Sequence, residues 1–113
     1  MIDLIVRHKR MQYQRSATDS VFVHLGDDLP AAVILSQSVD YGSVDDPYTS
    51  MGPVDCLFST PAEAITGKAK SPRLLKSSDL KCYAFALAHA AKILDEWEMS
   101  GRIPSALVQD TSS

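Results

Sequence analysis

Apolar and polar residues alternate along the first half of the chain and recur at helical spacing along the second. In an extended segment over residues 2–8, Ile2, Leu4 and Val6 face one way and Asp3, Ile5 and Arg7 the other, which predicts a strand. The polar, basic stretch 9–19 extends that strand before a turn near residues 16–20. Residues 21–25 and 31–35 are two β-prone runs around Gly26, Asp27, Asp28, Leu29 and Pro30, the composition of a hairpin with a short loop. Pro30 suits the start of the second strand, where no ladder N–H is needed. Residues 37–52 read as a long connection, and Val54, Cys56 and Phe58 alternate with Asp55 and Leu57 in another strand.

Helical signals follow. Thr60 as cap, Pro61 in the first position, Glu63 three residues after the cap and Gly67 beyond the end predict a short helix over 61–66. Ser78 as cap, Asp79 at the positive end and Gly101 with Arg102 at the other bound a long helix over 78–100. Inside it Leu80, Tyr83, Leu87, Ala90, Leu94 and Trp97 recur at alternating intervals of three and four. At ~100° per residue, Cys82, Ala84, Ala86, Ala91 and Ile93 widen this stripe to roughly 200°, about twice the arc of a surface helix. Such a helix calls for cover on two sides: a sheet on one, and the short helix, the 37–52 loop or a second copy of the chain on the other. At ~1.5 Å per residue it is ~33 Å long, enough to be the spine of the molecule. The predicted fold is α+β: an antiparallel sheet of three to four strands packed on one long C-terminal helix. Residues 1–104 form one domain and 105–113 a flexible polar tail.

Composition narrows the class. A chain of 113 residues, 45% hydrophobic and 22% charged, can bury a core without staples. No apolar run approaches the ~18 residues of a membrane span. The N-terminal residues lack the pattern of a secretory signal, so a cytoplasmic protein with no membrane association is expected. Cys56 and Cys82 are too few for a disulfide framework and read as small buried hydrophobes.

The net charge of −3 is unevenly distributed. Arg7, Lys9, Arg10 and Arg15 form one basic block, eight acids occupy residues 19–63 without a Lys or Arg, and Lys68, Lys70, Arg73, Lys76 and Lys81 form a second basic block around Asp79. The blocks either attract one another within the fold or converge on an anion. An acidic pI of 5.4 opposes general nucleic-acid binding, because the rest of the surface repels phosphates.

Catalytic chemistry finds little footing. No glycine-rich phosphate loop occurs, and His8, His24 and His89 share no local motif with another ligand. Cys82 and His89 are about two helical turns apart, ~10 Å, too far for the contact that activates a thiol. Cys56 with His24 across strands is the one remaining nucleophile pair. The Asp27–Asp28 and Asp45–Asp46 pairs suit turns. No catalytic residue, metal or cofactor is therefore expected.

The leading expectation is a non-enzymatic protein-interaction module, an adaptor, inhibitor or regulatory accessory protein, whose partner is another protein. A homodimer through residues 78–100 is a second route to covering the wide arc. Candidate contacts are Tyr41 and Tyr48 in the 37–52 loop, Phe85, and Arg7, Lys9 and Arg10. Phe85 falls among Lys81, His89 and Lys92, where it either packs beneath the N-terminal strand or the basic linker, the favoured reading, or anchors a partner. The alternatives are a binder of small anions or nucleic acid through 7–15 and 68–81 and, ranked last, a small cysteine-dependent enzyme.

Overall fold

The computed structural model describes residues 4–42, 45, 48–67 and 75–110. Three long strands form an antiparallel meander: β1 (Ile5–Gln12), β2 (Ser16–His24) and β3 (Ala31–Asp40). They are longer than the apolar runs alone predict. The basic stretch stays extended through Gln12, and the chain turns at once, with Tyr13 N–H donating to the Ser16 carbonyl at 2.7 Å. β4 (Ser50–Met51) and β5 (Asp55–Phe58) pair in succession along the outer side of β3. A two-residue β6 (Gln109–Asp110) lies parallel to β1 on the opposite edge. The connection predicted over 37–52 is thus shorter, because β3 continues to Asp40 and Ser50 already pairs with it.

α1 (Pro61–Thr66) is the predicted short helix, with Glu63 N–H donating to the Thr60 hydroxyl at 3.3 Å and Gly67 in the left-handed region at φ 75°. α2 (Ser77–Ser100) is the long one and ends at Gly101, φ 71°. Its start is one residue earlier than predicted. The cap is Lys76 rather than Ser78: the Asp79 carboxylate accepts from the Lys76 N–H at 2.9 Å, and Asp79 N–H donates to the Lys76 carbonyl at 3.0 Å. The carboxylate reaches back over the first turn, where it also meets the positive end of the helix.

α2 and β3 are both about 35 Å long, and the helix runs the length of the strand on one face of the sheet. Tyr83 donates its hydroxyl to the Ser59 carbonyl, and Ser59 N–H pairs with Ala32 at the start of β3. Fourteen residues further on, Trp97 Nε1 donates to Gln37 Oε1 at 3.0 Å. Between these anchors the buried stripe is Tyr83, Ala86, Ala90, Ile93 and Trp97, packed on Val21, Val23, Val33 and Leu35 of the sheet with Val6 and Ala64. The small Ala86 and Ala90 let the helix axis approach the pleat closely.

The predicted two-sided cover does not form. Leu87 and Leu94 are half-buried, while Ala84, Ala88 and Ala91 are exposed and Leu80 is 48% exposed. α2 is one layer over one sheet, not a spine sunk between two layers. The stripe that faces the sheet is centred about 50° around the helix, half a residue's step, from the one spacing alone selects.

In the segment 105–113, predicted as a flexible tail, residues 107–110 lie against the sheet, and 111–113 lie outside the described residues. Leu107 is half-buried, Val108 joins the core, and the backbone at 109–110 pairs with Arg7 and His8. No helix among the described residues is long and apolar enough to cross a membrane.

Burial raises the Tyr83 phenol above its ordinary value of 10.0. Since the folded state holds that proton more tightly than the unfolded chain, its contribution is full below pH ~10 and is lost as pH rises through the folded value. Thermal melting is expected to hold steady with respect to this group up to pH ~10 and to fall above it. Tyr83→Phe should cost about 1 kcal/mol at neutral pH by freeing the Ser59 carbonyl, and should remove that part of the alkaline fall. Phenolate absorbance followed against pH checks the assignment: a late-titrating tyrosine is present in the native protein and absent in the variant.

Candidate interaction surface

The outer edge of the sheet is built from Ser50 to Phe58 along β3. Met51 pairs with Val39, but Asp55 pairs with Ser36, so the strand carries one extra residue between them. Gly52, Pro53 and Val54 accommodate this bulge. Gly52 N–H donates to the Ser38 carbonyl at 2.9 Å, and Gln37 Nε2 donates to the Gly52 carbonyl at 3.0 Å. Pro53 has no N–H to offer and blunts the edge there.

Beyond the bulge the edge is open. All four residues of β5 are exposed, Leu57 at 64% and Phe58 at 72%. Ser59 N–H donates to the Ala32 carbonyl, and antiparallel pairs alternate. Hence Leu57 and Asp55 turn their backbone groups toward β3, while Cys56 and Phe58 turn theirs outward. Among the described residues nothing pairs with that outer side. Register places Cys56 and Phe58 on the helix-bearing face beside Leu35 and Val33, and Leu57 on the other face beside Ile34 and then Phe22. α1 packs chiefly on β3 and α2, so it leaves β5 uncovered.

Inside the edge lies a polar row on the helix-bearing face: Arg10, Asp19 and Gln37 are cross-strand neighbours. Asp19, with Gln37 one of two buried polar residues among those described, meets His8 Nε2 at 3.1 Å and Arg10 Nε at 3.8 Å. Gln37 joins Trp97 to Gly52. The core tryptophan therefore reaches the bulge that shapes the edge through one side chain.

The structure disperses the contact residues expected from sequence. Tyr48 is 79% exposed on the approach to β4, near Met51 on the same edge. Tyr41 is half-buried, its hydroxyl bonded to Arg10. Arg7 pairs with Asp27, and Lys9 is exposed on the face opposite the helix. Phe85 is 51% exposed and is not covered by the N-terminal strand; with Leu4, Val6, His89 and residues 105–108 it lines an open hollow beside β1. Phe85 and Tyr48 thus lie on different elements. Of the second basic block, Lys68, Lys70 and Arg73 lie outside the described residues, as does Val44 of the predicted loop.

Cys56 is exposed rather than buried, and Cys82 is half-buried. His24 shares the helix-free face with Phe22, their rings 6.3 Å apart, and its Nδ1 lies 2.9 Å from the Leu29 carbonyl. Cys56 is on the other face, so the cross-strand pair does not form. His89 turns to the Leu107 carbonyl at 3.4 Å. Among the described residues no three His, Cys, Asp or Glu side chains gather as a metal site would require.

Leu57 and Phe58 are exposed apolar residues that sequence reasoning passes over. Two adjacent large apolar residues in a strand put one on each face, which reads as a strand buried on both sides. Only the sheet order shows that this strand is outermost. Comparison with protein-family models, with curated proteins and with solved structures finds no match.

Proposed function

We propose that the chain is a non-enzymatic protein-interaction module of the cytoplasm, an adaptor, inhibitor or regulatory accessory protein, that engages its partner along the β5 edge. The observation that carries this reading is Leu57 and Phe58, exposed on opposite faces of a strand whose outer backbone groups at Cys56 and Phe58 meet no pairing strand among the described residues. Edge addition uses both parts: main-chain hydrogen bonds supply affinity, and alternate side chains supply selectivity. Large apolar side chains on a bare sheet edge are a liability unless another strand covers them. The anion-binding alternative gains less support, because Arg7 and Arg10 are engaged with Asp27, Asp19 and Tyr41. Self-association along α2 would have to use Leu80, Ala84, Phe85, Ala88 and Ala91, a surface separate from this edge.

The test is a screen of displayed extended peptides against the immobilised chain, in parallel with Leu57→Lys and Phe85→Lys. Both substituted side chains are half-exposed or more, so each variant should stay folded by circular dichroism. Peptides enriched on the native chain should lose at least about tenfold in affinity on Leu57→Lys and none on Phe85→Lys. Enrichment that is indifferent to Leu57→Lys would sink the edge as the binding surface.

A further inference from the structure

We propose that the strand taken up by this edge is β5 of a second copy of the chain, paired antiparallel about a two-fold axis through Leu57. The inference rests on the β5 edge being the interaction surface. A two-fold axis normal to a sheet makes edge strands antiparallel and keeps both helical layers on the same side.

Register decides how well the edge fits itself. With Leu57 opposite Leu57 of the partner subunit, Cys56 falls opposite the partner's Phe58, and Phe58 opposite the partner's Cys56. These are the residues whose backbone groups point outward. Each such pair exchanges two N–H···O=C bonds, so the outward groups of both copies are satisfied together. Leu57, whose own backbone bonds to β3, forms the close non-hydrogen-bonded pair at the axis, where side chains pack tightest.

The side chains agree. On the helix-free face Phe22, Ile34 and Leu57 form one cross-strand row, and the two-fold axis joins it end to end with the same row of the partner subunit. On the helix-bearing face each exposed Phe58 is laid beside Cys56 of the partner subunit. The only charge in β5, Asp55, comes opposite Ser59 of the partner subunit, so no like charges meet. Shifting the pairing so that Cys56 meets itself would oppose Asp55 to Leu57 and carry the ladder into the bulge at Val54. The open stretch is bounded by that bulge and by Pro61 of α1, which matches a short isologous ladder. An interface so short falls below the ~1,600 Å² of a standard complex, and a dissociation constant in the micromolar range is expected.

Sedimentation equilibrium over about 1 µM to about 1 mM brackets that range. The native chain should pass from monomer to dimer mass, Leu57→Lys should weaken the dimer at least about tenfold by placing like charges at the axis, and Phe85→Lys should leave it unchanged. Amide hydrogen exchange on the native chain needs no variant: protection at Cys56 and Phe58 should rise with concentration while Leu57, already paired to Ile34, stays constant. A monomer at every concentration overturns the proposal, as does a dimer lost on Phe85→Lys and kept on Leu57→Lys. If the chain stays monomeric while displayed peptides still bind in a Leu57-dependent way, the second copy is refuted and the interaction edge stands.

Discussion

Replacing Trp97 with alanine is expected to lower the stability of this protein by about 4 kcal/mol, the largest effect of any single truncation among the described residues. Trp97 is 1% exposed and the largest of the fully buried side chains. Phe/Trp→Ala changes in cores cost roughly 3–5 kcal/mol through lost transfer energy and the cavity left behind. Loss of the indole N–H adds to that, because Gln37 Oε1 loses its donor, and an orphaned buried acceptor costs roughly 1–3 kcal/mol. Against a typical domain stability of about 5–15 kcal/mol, the melting temperature should fall by about 15 °C or more. Trp97→Phe narrows the loss to the donor and the part of the indole that a phenyl ring does not fill, at an expected cost of about 2 kcal/mol. Combined with Gln37→Leu it should show a coupling of at least about 0.5 kcal/mol, since the two side chains bond each other. Circular-dichroism melting and urea midpoints read all five proteins: native, the three single variants and the double variant. A Trp97→Ala variant that melts within a few degrees of native would remove the Trp97–Gln37–Gly52 connection from the account of what holds α2 and the bulge in place.

Helix ends were the most legible part of this chain, and sheet edges the least. Thr60, Pro61 and Gly67 act within a few residues of themselves, so they mark α1 from local chemistry alone. Gly101 does the same at the end of α2. Asp79 shows the limit of that reasoning: both Ser78 and Asp79 can cap, and the carboxylate reaching back to Lys76 takes the role. Strand length was harder, because the polar residues of β1 after Arg7 carry no apolar alternation yet are held extended by pairing with β2. Val108 joins the core from a polar segment because the return to β1 is a tertiary event. Leu57 and Phe58 could be placed in a strand but not at its rim, since strand order is set by how α1 and α2 fold back over β3. For the same reason Arg7, Arg10, Tyr48 and Phe85, all sensible contact residues by type, are spread over separate parts of the surface.

The apolar arc of α2 gives the second large effect, through a pair of substitutions that periodicity treats alike. Leu80 and Ile93 both belong to the roughly 200° arc, yet Ile93 is 0% exposed and Leu80 is 48% exposed. Ile93→Ala should therefore cost about 2–5 kcal/mol, because the side chain sits in the helix–sheet core, where its loss leaves a cavity. Leu80→Ala should cost under about 1 kcal/mol, and the good helix propensity of alanine offsets part even of that. Urea midpoints for the two variants, compared at equal slope, read the difference directly. Equal losses would mean that a second layer covers Leu80 in solution, making α2 the doubly buried helix its sequence describes. Unequal losses fix α2 as a helix with one face on the sheet and the other in water. The alanines at 84, 88 and 91 then serve helix formation rather than contact, and β5 remains the place where an apolar surface meets open backbone.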